Sequence, residues 1–131
     1  MSNNDPVRGL YAAFAKGDMP TALACMADDI VWNEAENYPY ADRNPYIGPQ
    51  AVVAGVFARI GADWDGFAAT PDEFIDAGDR VVALGHYTGV HKGTGKPMRA
   101  QFAHVYRVKN GKIASFQQYA DTLGTAIAMG R

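Results

Sequence analysis

Cysteine is nearly missing from this chain of 131 residues: Cys25 stands alone, so no disulfide can form within it. A reducing, cytoplasmic setting is the expectation. Basic clusters are missing too. The 12 Lys and Arg are scattered among 14 Asp and Glu for a net charge of −2, which argues against nucleic acid as a partner. There is no run of about 20 apolar residues, so no membrane-spanning helix is expected. The polar opening residues also lack the basic-then-apolar layout of a secretion leader. His86, His91 and His104 have no metal-ligand spacing, and Gly93-Thr94-Gly95 reads as a hairpin turn rather than a phosphate-cradling loop. The expectation is a protein without metal or cofactor. Repeats, low-complexity tracts and linkers are absent as well. What remains is 48% apolar and 20% charged, the composition of a soluble globular chain forming one domain over 1–131.

The strongest local signal lies near the end of the chain. Residues 98–109 and 112–121 read as two strands joined by Asn110-Gly111, the pair a type I′ turn requires. A two-residue loop sets Lys109 opposite Lys112. An unbroken ladder then puts His104, Tyr106, Val108, Ile113, Ser115, Gln117, Tyr119 and Asp121 on one face. A face this polar within a sheet either meets solvent or lines a pocket.

Earlier in the chain, Asp5-Pro6 opens a helix whose apolar residues Val7, Leu10, Tyr11 and Phe14 recur at helical spacing until Gly17. Asp18 caps a second short helix through Ala27. Asp28-Asp29 precede a strand over 30–34, in which Ile30, Trp32 and Glu34 share a face. Residues 37–49 form a loop carrying Tyr38, Tyr40 and Tyr46, with a third helix from Gly48-Pro49-Gln50 to Gly61. Strands over 67–77, 80–92 and 97–109 follow, the first broken by Pro71 as an edge strand or bulge would be. A three-residue loop at 93–95 sets Lys92 opposite Lys96 and His86 opposite Phe102, bringing His86 to the face of His104.

The sum is an α+β domain: a strongly curved, mostly antiparallel sheet wrapped around three helices from the N-terminal half, with an internal pocket. The outer sheet face is expected to hold Ala103, Val105, Ala114, Phe116 and Ala120. That small apolar surface suggests a homodimer through the outer face.

Four stretches carry a family resemblance: 11–18 (YAAFAKGD), 27–32 (ADDIVW), Tyr46-Ile47-Gly48-Pro49, and above all 102–122 (FAHVYRVKNGKIASFQQYADT). With them the chain resembles the nuclear-transport-factor-2-like superfamily, in its SnoaL-like branch. Ketosteroid isomerases, limonene epoxide hydrolases and polyketide cyclases share this cone-shaped fold. The resemblance implies that Glu34 stands at the isomerases' general-base position. It sets His104 where isomerases carry an oxyanion-stabilising aspartic acid and cyclases often carry histidine. Asp121 matches the terminal aspartate that serves as acid/base in hydrolases and cyclases. At the isomerases' catalytic tyrosine the alignment falls nearest Leu10, leaving Tyr11 one place off and directed elsewhere.

Each site residue also has a plainer reading. Glu34 can end its strand in water, His104 can be a satisfied core histidine, and Asp121 can cap a C-terminal helix. In an ideal ladder Asp121 opposes Ala100, about 13 Å along the strand from His104, so the two meet only across a bulge or a sharp bend. The expected function is a cofactor-independent isomerase or cyclase acting on a small hydrophobic or aromatic molecule. Glu34 or Asp121 would move the proton and His104 would stabilise the oxyanion or act as acid. Trp32, Tyr40, His86, Tyr106, Gln117 and Tyr119 would line the substrate's place. The alternative is a carrier that binds a hydrophobic metabolite without turnover.

Overall fold

A computed structural model of the chain describes residues 4–131; residues 1–3 of the expected domain lie outside the described residues. Helix α1 (Asn4–Lys16) buries Val7, Leu10, Tyr11 and Ala13. It ends where Gly17 takes φ +67°, with the Gly17 and Asp18 amides returning to Phe14 and Ala13 carbonyls. Helix α2 (Met19–Ala24) is capped by Asp18, whose carboxylate accepts from the Thr21 amide at 3.2 Å. It stops three residues earlier than expected. Strand β1 (Met26–Asn33) absorbs Met26, Ala27 and the Asp28-Asp29 pair, because pairing with a neighbouring strand starts at Met26.

A short 3₁₀ turn (Ala41–Arg43) and strand β2 (Tyr46–Ile47) follow. The third helical stretch runs through Gly61 in three pieces: α3 (Pro49–Val52), a π-helical turn (Val53–Phe57) and α4 (Ala58–Asp63). Strands β3 (Trp64–Ala77), β4 (Arg80–His91), β5 (Pro97–Lys109) and β6 (Lys112–Ala120) form an antiparallel meander. Strand β1 joins parallel to β6 and β2 closes the far edge, giving the order β2-β1-β6-β5-β4-β3. Helix α5 (Thr122–Ala128) ends the fold. The result is the curved α+β cone.

Pro71 does lie on the edge strand, beside a bulge between Pro71 and Glu73. The sheet is tight there. A Cβ on Gly85 would sit 2.1 Å from the Thr70 carbonyl oxygen, so only glycine lets β3 and β4 approach.

Two register details decide which side chains face inward. The Asn110-Gly111 turn holds, with φ of 53° and 74°, and Lys109 pairs with Lys112. One step later the ladder slips: Val108 pairs with Ile113, but Arg107 pairs with Ser115, leaving Ala114 as an extra residue. Beyond this bulge His104 opposes Gln118, Tyr106 opposes Phe116 and Phe102 opposes Ala120. The residues expected inside and outside on this part of β6 therefore exchange places. Phe116 and Gln118 are buried, whereas Tyr119 is 58% exposed. The outer face carries Ser115, Gln117 and Tyr119 beside Ala103 and Val105, and is more polar than expected.

The other slip is at the β4–β5 loop. The His91 amide donates to the Lys96 carbonyl and the Gly95 amide to the His91 carbonyl, while Val90 pairs with Pro97, so the loop holds four residues, 92–95, not three. His86 then opposes Gln101, and Tyr87, not His86, takes the inward position.

Candidate active site

Between the inner sheet face and helix α1, the π-helical turn and α4 lies a cavity of about 530 Å³. Aromatic rings supply much of its wall. Trp32 stacks on Phe116 with centroids 3.8 Å apart, and Phe57 meets the Trp32 indole edge-on at 5.5 Å. No Lys or Arg is among the residues lining it.

Glu34 stands just past the end of β1, where the strand's backbone groups lose their ladder partners. Two side-chain amides replace them. Asn44 accepts from the Glu34 amide at 3.0 Å and donates to the Glu34 carbonyl at 2.8 Å. Gln118 Oε1 accepts from the Ala35 amide at 2.9 Å. So held, Glu34 is only 3% exposed and lines the cavity. Burial pushes its carboxyl pKa up to about 8, only partly countered by the Trp32 indole N–H. That N–H meets no acceptor in good hydrogen-bond geometry.

His104 is 4% exposed and centred on β5. Both ring nitrogens are engaged: Tyr11 hydroxyl meets Nδ1 and Tyr87 hydroxyl meets Nε2. Tyr106 donates to the Tyr11 oxygen at 2.7 Å, and Gln118 Nε2 donates to the Tyr87 oxygen at 2.9 Å. Burial holds the imidazole pKa down to about 3, so the ring is neutral across the physiological range. The same burial holds the hydroxyls of Tyr11, Tyr38, Tyr87 and Tyr106 protonated, with pKa values above that of free tyrosine.

Glu34, His104, Trp32 and Tyr106 are thus brought together around one cavity. Five other expected site residues are not. Gln117 and Tyr119 face outward because of the Ala114 bulge. His86 stands outside the cavity and pairs with Asp72 at 3.2 Å, because the four-residue loop turns it away. Tyr40 is buried in a separate aromatic cluster, its hydroxyl donating to Asp63 at 2.7 Å and accepting from Trp64 at 3.0 Å. Asp121 is exposed and serves as the N-cap of α5, accepting from the Gly124 amide at 2.9 Å. Replacing Asp121 by Ala should lower stability by about 1 kcal/mol through the lost cap and leave the cavity's ligand affinity unchanged. A urea titration beside a titration with a phenol measures both.

Tyr11, Tyr38, Tyr87 and Gln118 occupy the cavity wall without having been expected there. Tyr11, expected to be directed elsewhere, faces the cavity. It lies on the buried stripe with Val7 and Leu10, and its hydroxyl reaches the imidazole across the cone. The helical period already put Tyr11 on that stripe, so this signal was present in the sequence. Among the described residues, no group of three or more His, Cys, Asp or Glu stands together as a metal site.

Known proteins agree with this architecture. An NTF2-like protein from Burkholderia thailandensis is 38% identical, with 98% of each chain covered and a TM-score of 0.94. TerC, crystallised with polyporic acid, shares the fold at 23% identity and a TM-score of 0.86, with 98% of each chain covered. A curated relative, patulin synthesis protein F of Aspergillus clavatus, is 34% identical over 93 residues. That match covers 70% of this chain, which spans less than half (46%) of the relative's length. The SnoaL-like domain profile matches residues 7–116, with Glu34, His104 and the tyrosine array inside the span. The chain therefore belongs to the SnoaL-like domain family, within the NTF2-like fold.

Proposed function

We propose that this protein is a cofactor-independent acid/base enzyme of the isomerase or cyclase type, acting on an uncharged, ring-containing ketone or phenol. The observation that carries this reading is Glu34. A carboxyl with a pKa of about 8, facing the same cavity as neutral tyrosyl O–H donors, is suited to moving a proton near neutral pH.

The mechanism follows from the wall. A substrate carbonyl accepts from the Tyr11 hydroxyl, and the Glu34 carboxylate removes a proton from the adjacent carbon. Negative charge develops on the substrate oxygen, where a preoriented donor in a dry site has its largest effect. His104 is neutral, so it orients the tyrosines and does not act as a charged acid. The aromatic wall favours rings, and the absence of lining cations disfavours substrates bearing phosphate or carboxylate. A relative named for patulin synthesis and a same-fold neighbour crystallised with polyporic acid support a small organic substrate of biosynthesis.

The test is deuterium exchange into a panel of cyclic ketones and phenols, followed by NMR, alongside a titration of Glu34. Expected are catalysed exchange at the carbon beside the carbonyl and an exchange rate rising with pH through the Glu34 pKa. Binding without exchange for every member of the panel would instead make the protein a carrier.

A further inference from the structure

His104 sees nearly the same surroundings on both of its nitrogens. On the Nδ1 side stands the Tyr11 hydroxyl, which already accepts one hydrogen bond from Tyr106. On the Nε2 side stands the Tyr87 hydroxyl, which already accepts one from Gln118. The Gln118 orientation is not free. Its Oε1 takes the Ala35 backbone N–H, a fixed donor, so its Nε2 can only donate.

Counting protons over this array leaves one to spare. A neutral imidazole carries one N–H and one bare nitrogen. With the proton on Nδ1, the ring donates to Tyr11 and accepts from Tyr87, and the Tyr11 O–H has no committed acceptor. With the proton on Nε2, the roles reverse and the Tyr87 O–H is uncommitted. Both tyrosines line the cavity. We propose that His104 is a proton shuttle between Tyr11 and Tyr87, changing tautomer rather than charge, and that Tyr87 is a second proton-exchanging group of the site.

The shuttle rests on the acid/base reading above and narrows its substrate to one carrying a carbonyl conjugated to an enolic hydroxyl, such as the enol form of a 1,3-dicarbonyl. Starting from the Nδ1–H form, the Tyr11 proton passes to the substrate's carbonyl oxygen and Nδ1–H refills Tyr11. The Tyr87 proton passes to Nε2, and the substrate's own enolic O–H refills Tyr87. Each tyrosine oxygen loses one proton as it gains another, and the ring loses one at Nδ1 as it gains one at Nε2, so no charge appears on the protein. The substrate is tautomerised and the ring ends as the Nε2–H form. The reverse transfer, with the next substrate in the opposite orientation, restores it.

Near-equal surroundings imply near-equal tautomers, and their balance can be tipped from either end. A hydroxyl that accepts a hydrogen bond becomes a better donor. Gln118→Met weakens Tyr87 as donor and should shift the ring toward Nε2–H. Tyr106→Phe weakens Tyr11 as donor and should shift it toward Nδ1–H. Each shift should be about threefold to tenfold in population, the worth of one neutral hydrogen bond. Ring ¹⁵N shifts in ligand-free protein read the tautomer directly, because bare and protonated nitrogens resonate far apart. Opposite shifts in the two variants support the shuttle. An unchanged single tautomer in all three proteins, or a doubly protonated ring at pH 7, overturns it. Should one variant fail to fold, the other against wild type still decides, since each has its own predicted direction. No turnover is needed, so a failed ketone panel would sink the proposed enzyme without touching this result.

Discussion

Glu34→Gln should yield a protein that is more stable than the wild type at alkaline pH and has lost its proton-transfer activity. Both effects have one cause. The Glu34 carboxyl titrates at 4.5 when unperturbed and at about 8 in the fold, because burial penalises its charged form. Below pH 4.5 it is protonated in folded and unfolded chains alike. As pH rises from there to 8, the unfolded chain releases the proton and the native state keeps it. Stability present at low pH is therefore lost as pH climbs through the folded pKa. At about 1.4 kcal/mol per pH unit, the loss is about 3 kcal/mol by pH 7 and about 5 kcal/mol at most above pH 8. Glutamine cannot ionise, so the variant escapes this decline. The stability gap should open from near zero at pH 4.5 to several kcal/mol at pH 9, read by urea denaturation at a series of pH values. Exchange on a responsive ketone should fall by about 10²- to 10⁴-fold, the usual contribution of a positioned general base. Parallel stability profiles from pH 5 to 9 would show that Glu34 is not held protonated by the fold, and the base assignment would go with it.

The cause of that stability cost is visible in how the chain holds Glu34. Asn44 and Gln118 hold the backbone on either side of the residue, while neither neutralises its carboxyl. Sequence alone placed Glu34 beside Trp32 by strand alternation, and the His104 strand was equally plain from the Asn110-Gly111 turn. The helical stripes and the order of elements were legible for the same reason: their periods are local. What was not legible is parity. In β4, Val81, Ala83 and Tyr87 face inward, but Val82 and Leu84 are apolar too, so alternation there favours neither face. One more residue in the 92–95 loop settles it in favour of Tyr87. In β6, both Phe116-Gln118 and Gln117-Tyr119 make a credible inner pair, and the Ala114 bulge chooses. Neither device has a residue signature, since alanine and lysine fit almost any backbone. A slip of one residue exchanges the two faces of a strand. Three of the expected site residues, His86, Gln117 and Tyr119, left the cavity through two such slips. Tyr87 and Gln118 entered it through the same two.

Tyr11→Phe should show what that array does for catalysis. The hydroxyl it removes is bonded to His104 Nδ1, accepts from Tyr106 at 2.7 Å, and lines the cavity holding Glu34. If it meets the substrate oxygen as charge develops, its loss should lower kcat by about 10²- to 10³-fold. KM should change little, because the contact strengthens only on the way to the transition state. Folding should suffer too, by about 1–3 kcal/mol, since Tyr106 O–H and the imidazole are each left one partner short. The stability loss alone proves nothing about chemistry, so Tyr106→Phe is the needed control. It removes a buried hydroxyl from the same array, yet leaves Tyr11 and its reach into the cavity intact. A similar destabilisation with a kcat drop below tenfold is expected there. Should both variants lose the same fraction of kcat, Tyr11 would be a packing residue and the oxyanion contact would belong to another donor on the wall. Should Tyr11→Phe retain wild-type kcat while Tyr87→Phe loses it, the substrate carbonyl would face the Nε2 side of the imidazole. The array would then be entered from the other end.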